Sequence, residues 1–193
     1  WKDVGTLDSL WDANMDMLSP GSGLNLLDKK WRIYGRNPGL APHFIAEGAS
    51  VRNSLITEGC EVYGHVDHSV IFSGVTIREG ATVKDSVVMP GAVIERGAQV
   101  QRAIVSEDAV IGAGATVGEA TGNIAVVGTG VHLAAGGEVK AGEQYLVLMV
   151  AVNDVTSNKP NYAITSDSLV YINQAASTAG NVAFSTVYPS CVT

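Results

Sequence analysis

From Ile45 onward, aliphatic side chains return every six residues along the chain. Ile45 and Val51, Ile56 and Val62, and Ile71, Ile77 and Val83 open the series. Val88, Ile94 and Val100, then Val105, Ile111 and Val117, then Val127, Leu133 and Val139 continue it. A larger unit appears when Asn53-Ser-Leu-Ile56, His68-Ser-Val-Ile71, Asp85-Ser-Val-Val88 and Arg102-Ala-Ile-Val105 are aligned. Their starts lie 15, 17 and 17 residues apart, close to three hexads. An internal repeat of this kind outranks local signals. Six residues per side and three sides per coil describe a triangular prism of short parallel strands. One aliphatic residue per hexad points inward and stacks on its equivalent in the next coil. Small residues beside it, Ser54, Ser69, Ser86 and Ala103, fit a tight interior. Gly59, Gly74, Gly91, Gly97, Gly112 and Gly114 suit corners that need positive φ. Coils pair with one another, so no single coil is stable and several must stack. About five are expected between residues 45 and 140.

Upstream the period is different. Over Thr6 to Leu18, Leu7, Leu10, Trp11, Met15 and Leu18 recur at helical spacing and make one apolar face. Thr6 can cap this helix, and Asp8 near its positive end is favourable. Ser19-Pro-Gly-Ser-Gly23 stops it. Pro38 and Pro42 make residues 35–43 an extended, covered connector. Beyond Val139 the register fails. Residues 141–193 hold four charged side chains and are rich in Ser, Thr and Asn. Tyr145 to Val152, Ala163 to Ile172 and Val182 to Tyr188 could be strands. That tail either caps the open end of the prism, whose edges invite pairing, or is a non-native extension. The expected division is therefore a helical remnant at 1–27, a connector at 28–44, a parallel β-helix at 45–140 and a β-prone tail at 141–193. The fold class is mainly β.

Composition narrows the partners. Charged residues are 16% of the 193, apolar residues 46%, and 22 are glycine. That is neither a disordered nor a collagenous mixture. Net charge is −7, with 12 basic residues scattered singly or in pairs. Neither a nucleic-acid stripe nor a polybasic membrane patch is present. The longest apolar run, Tyr145 to Val152, is too short for a spanning helix. Without a basic-then-apolar leader the expectation is cytoplasmic, and a first residue of Trp1 suggests a start inside a longer parent. Cys60 and Cys191 make neither a disulfide framework nor a metal knuckle.

Particular residues add a family likeness. Trp1-Lys-Asp-Val-Gly-Thr6, the helix after it, Trp31-Arg-Ile-Tyr34, Asn53-Ser-Leu55, Gly59-Cys60, His68-Ser69, Asp85-Ser-Val87, Met89-Pro-Gly91 and Arg102-Ala-Ile104 stand out. Together they resemble bacterial ADP-glucose pyrophosphorylase (glucose-1-phosphate adenylyltransferase) over residues 1–139. The resemblance implies the end of a catalytic domain followed by a C-terminal β-helix domain. The hexapeptide families further imply the left-handed form, although general crossover rules favour right-handedness. It implies an enzyme that joins glucose 1-phosphate to ATP, giving ADP-glucose and pyrophosphate for glycogen synthesis. No Gly-rich phosphate loop follows a strand here, so this chain alone is not expected to catalyse.

The same resemblance makes Asp3 one half of a Mg²⁺ site completed by the missing domain, with no metal expected on this chain by itself. It implies packing against its own N-terminal catalytic domain, a homotetramer, and an anionic effector pocket. Arg32 and Arg36 are the candidates to face that anion, since guanidinium forks suit phosphate. Gly74 stands where some relatives carry arginine, and Ser106-Glu107 where others carry Asp-Lys, which departs from the effector pattern.

Other polar residues invite blander readings. His65, Asp67 and His68 sit near a corner and need not converge on a metal, which would want three or four ligands. Cys60 precedes an inward aliphatic and is expected to fill space. His43 and His132 have no visible base or nucleophile nearby. Two other functions compete. A hexapeptide acyltransferase would place a catalytic His and a pantetheine arm between the prisms of a trimer, and expects a His-bearing loop between hexads. A purely structural β-solenoid is the third.

Overall fold

The computed structural model describes residues 2–19, 30 and 39–146. Within them the hexads build three parallel sheets of six strands each. Face one stacks Phe44–Ile45, Glu61–Val62, Thr76–Ile77, Val93–Ile94, Val110–Ile111 and His132–Leu133. Face two stacks Ser50–Arg52, His65–Asp67, Thr82–Lys84, Gln99–Gln101, Thr116–Val117 and Glu138–Val139. Face three stacks Leu55–Ile56, Val70–Ile71, Val87–Val88, Ala103–Val105, Ala125–Val127 and Gln144–Tyr145. The chain visits the faces in rotation, so each strand pairs with its equivalent one coil away.

The expected columns form. Ile77, Ile94 and Ile111 are in register on face one. Val83, Val100 and Val117 are in register on face two. Ile71, Val88 and Val105 are in register on face three. All nine are at most 1% exposed. A second row two positions earlier, including Cys60, Val75, Ala92, Ala98, Ala109 and Ala115, fills the rest of the prism. Small side chains are needed there because three walls close on one axis at native packing density.

Four features of the prism differ from the sequence expectation. Six coils are present, not about five. Val66 occupies the face-two column, only four residues after Val62. Gly64 explains the short step: a Cβ there would lie 2.3 Å from the carbonyl oxygen of Ala81. Only glycine lets this corner be cut tight. The register continues past Val139, because Tyr145 pairs with Val127 and completes face three. Gly112 lies outside the positive-φ set that contains Gly59, Gly74, Gly91, Gly97 and Gly114. It is needed instead for close approach, with the Leu133 oxygen 2.5 Å from where its Cβ would stand.

A helix spans Leu7–Asp16, closed at its start by Thr6. Ser9 donates its amide to the Thr6 hydroxyl at 3.1 Å, and Thr6 donates its own amide to the Ser9 hydroxyl at 3.0 Å. This reciprocal box satisfies two otherwise orphaned donors. Leu10, Trp11, Met15, Met17 and Leu18 pack onto the outer row of face three, against Val70, Val87, Ile104, Ile124 and Val126. Leu7 is exposed and does not join that face. Ten residues are marginal as a free helix in water. Burial of each outer-row aliphatic, worth about 1.5–3 kcal/mol, is what holds it. Face three is thus apolar on both sides, which accounts for the doublets Val70-Ile71, Val87-Val88 and Ile104-Val105.

Residues 39–43 are exposed rather than covered; residues 35–38 of the expected connector, and the tail from residue 147, lie outside the described residues. Among the described residues no helix is long and apolar enough to cross a membrane.

Candidate functional site

The corner between faces two and three carries the most polar structure. Asn53, His68, Asp85 and Arg102 stack there at φ 39, 45, 48 and 47. Left-handed backbone is costly for side chains with a Cβ, so something must compensate. The serines do so. Ser54, Ser69 and Ser86 donate their hydroxyls to the carbonyls of Arg52, Asp67 and Lys84. Each hydroxyl then accepts the amide one coil further on, from Ser69, Ser86 and Ala103, at 3.1 Å in every case. The hydroxyl ladder supplies acceptors for the Ser69, Ser86 and Ala103 amides, beside the backbone bonds that the turned residues His68, Asp85 and Arg102 make to the coil before.

The acidic and histidine residues near this corner pair off separately. His68 Nδ1 and Asp85 Oδ1, one coil apart, are separated by 2.8 Å. His65 Nδ1 meets the Ser50 hydroxyl at 2.8 Å, and Arg52 pairs with Asp67 at 2.9 Å. His65, Asp67 and His68 therefore have three different partners. Among the described residues no group of three His, Cys, Asp or Glu could hold a metal.

The helix is fastened to the same corner. Trp11 donates its indole N–H to the Asp85 carbonyl at 2.8 Å. The Arg102 guanidinium stands 4.6 Å from the Trp11 ring centroid, an attraction worth about 0.5–1 kcal/mol at an exposed site. Arg102 Nε in turn donates to the Gly122 carbonyl at 2.9 Å. Sequence reading placed Trp11 on the apolar face but missed this clamp. The available signal was the repeated lead-in, which marks Asp85 and Arg102 as equivalent positions on one corner.

Asp3 lies just ahead of the helix and is exposed. Gly5 donates its amide to Asp3 Oδ1 at 3.2 Å. Lys2 reaches past it to Asp16 at 2.7 Å, tying the segment to the last turn of the helix. One oxygen of Asp3 is thus oriented by backbone, while its second remains available to solvent. A single open carboxylate fits Mg²⁺, which takes one or two carboxylates and fills its other positions with water and phosphate oxygens. Arg32 and Arg36, the two arginines expected at an anion pocket, lie outside the described residues. Cys191 does too.

Cys60 is 1% exposed and donates its Sγ–H to the Phe72 carbonyl at 3.0 Å. Burial pushes its thiol above the ordinary value, which keeps it protonated and unreactive. His132 points outward on face one and is exposed. The longest departure from the hexad pattern comes after Val117, where the register step lengthens from 17 to 22 residues. Glu119 and residues 121–123 of that detour border an open cleft with Lys140 and Glu143. They contain no histidine, unlike the loop an acyltransferase would need.

A three-faced solenoid of hexads with an outer helix defines a class of scaffold. The chain belongs to the GlmU-like C-terminal hexapeptide family, whose model matches residues 43–140. More particular likenesses are to glucose-1-phosphate adenylyltransferases of Bacillus mycoides (strain KBAB4), Bacillus cereus (strain ATCC 10987 / NRS 248) and Bacillus thuringiensis (strain Al Hakam). Each is 58% identical over 85 residues, covering 44% of this chain and 23% of the relative. The chain is therefore similar to a C-terminal portion of those enzymes, and matches about a quarter of their length.

Proposed function

We propose that this chain is the C-terminal assembly and regulatory portion of a glucose-1-phosphate adenylyltransferase. The whole enzyme makes ADP-glucose and pyrophosphate from glucose 1-phosphate and ATP. The observation that carries the reading is 58% identity to such enzymes, together with a helix and a hexad scaffold among the described residues.

In this reading the prism packs against the enzyme's own N-terminal catalytic domain and builds the homotetramer. The exposed apolar residues of the first coil and its approach, Leu40, Phe44 and Ile45, support a neighbour at that end. Asp3 supplies one carboxylate to Mg²⁺, and the metal when bound offsets charge that builds on the phosphates during transfer. Asp3 holds its side chain ready through the Gly5 amide. Arg32 and Arg36 meet an anionic effector. The chain by itself turns over nothing.

The test is pyrophosphorolysis of ADP-glucose by this chain alone, and again with a separately expressed N-terminal domain. Activity only in the mixture supports the reading. Activity from the chain alone, or binding of acetyl-CoA by a trimer, overturns it.

A further inference from the structure

We propose that the solenoid, acting through Trp11, sets where the Asp3 carboxylate stands, so that Trp11 and Arg102 are positioning residues for the metal half-site. The inference rests on the role given to Asp3 above and adds what holds it in place.

The links between Asp3 and the prism are few and directional. Gly5 orients the carboxylate. Thr6, the next residue, caps the helix, and Leu10 donates its amide to the Thr6 carbonyl at 2.9 Å to close the first turn. Trp11 follows at once and makes its hydrogen bond to Asp85, 74 positions away. Lys2 returns to Asp16, so the segment around Asp3 is tied to both ends of the helix. Asp3 and the helix thus move as one body.

What fixes that body on the prism is the question. Apolar contacts of Leu10, Met15 and Leu18 with the outer row of face three are non-directional and tolerate rolling. The indole hydrogen bond and the stacked guanidinium do not, because both depend on angle. Arg102 is itself braced from the other side by Gly122. A helix is about 10–12 Å across with side chains, so a roll of about 20° moves a group at its rim by about 2 Å. Mg²⁺ demands near-ideal octahedral geometry and tolerates such a shift poorly.

Trp11→Phe keeps an aromatic face but loses the N–H donor together with the second ring of the indole; Arg102→Gln keeps polarity and loses the charge. In the full chain carrying Cys191→Ser, the distance distribution between spin labels on cysteines placed at the exposed positions Val4 and Gln99 is expected to shift or broaden in both variants, while amide exchange at Val88 and Val105 stays unchanged. An unchanged distance distribution would overturn the inference without reference to activity. In an enzyme made by joining this chain to the N-terminal portion of the Bacillus mycoides relative, the Mg²⁺ concentration giving half-maximal rate should rise about two- to tenfold in both variants. The KM for glucose 1-phosphate should hold, and Arg102→Lys should recover part of the shift. Asp3→Asn separates the two claims. If it leaves the Mg²⁺ requirement unaltered, the role of Asp3 fails. If it raises the requirement while Trp11→Phe and Arg102→Gln do not, the positioning role alone is wrong.

Discussion

The amide of Ser86 donates to the hydroxyl of Ser69 at 3.1 Å, one coil away, inside the closed wall of the prism. Both residues are fully buried. Ser69→Ala removes the acceptor and leaves the Ser86 amide with no route to water. The Asp67 carbonyl keeps a second donor, the Asp85 amide at 3.1 Å, so one orphan is created and not two. An unsatisfied buried donor costs about 1–3 kcal/mol. Urea unfolding should show that loss for Ser69→Ala, and a smaller one for Ser54→Ala in the more open first coil.

Adjacent residues on one strand should differ sharply. Ile94 is fully buried in the face-one column, whereas its neighbour Val93 points outward and is partly exposed. Ile94→Ala leaves a cavity in a wall that cannot collapse, at a cost of about 2–5 kcal/mol. Val93→Ala should cost under about 1 kcal/mol. Equal losses in thermal melting would contradict the inward-outward alternation on which the architecture depends.

Gly91 sits at φ +72, and a Cβ there would lie 2.2 Å from Asp108 Oδ1. Gly91→Ala therefore incurs left-handed strain, about 1–2 kcal/mol, and displaces the carboxylate above it. Adding Asp108→Gly removes the obstruction and relieves the left-handed backbone of residue 108, φ 54. The double variant should melt above the single one, although the strain at residue 91 remains. A double variant no better than Gly91→Ala would show that the contact with Asp108 is not what costs stability.

Cys60 gives a pH dependence with a definite sign. Desolvation raises its thiol above 9.0, against smaller opposing effects from nearby hydrogen bonds. The folded state then holds the proton more tightly than the unfolded chain. Its contribution is fully present below pH 9 and is lost as pH rises through the raised folded value. The melting temperatures of the parent and Cys60→Ala should converge between those limits, since other titrating groups are common to both. In a Cys191→Ser background, alkylation of Cys60 at pH 8 should be slow until denaturant is added.

How far the sequence carried depends on what signals each feature. Three columns were legible because inward aliphatics at sixfold spacing have few other uses. Val66 escaped because its coil is cut by two residues, and the only mark of the cut is Gly64, one glycine among many. Tyr145 escaped because an aromatic residue ended a row of aliphatics, just where a continuous apolar run begins. The capped helix was readable from Thr6 and its period. Its docking onto face three was not, because Val93-Ile94 and Val110-Ile111 are doublets too, and they lie on a face the helix leaves bare. At the half-site the motif singled out Asp3, yet Trp11 and Arg102 are 91 positions apart and meet only once the coils have stacked.

The detour after Val117 has a practical meaning. Five extra residues leave the prism and return, and Val117 still pairs with Val139 as if they were not there. Length added at a corner is absorbed sideways without disturbing the axial stack. Residues 119–121 are thus a natural docking port for a grafted tag or epitope, with Gly122 kept in place to hold Arg102, a place where the thread of this molecular screw can be let out without stripping it.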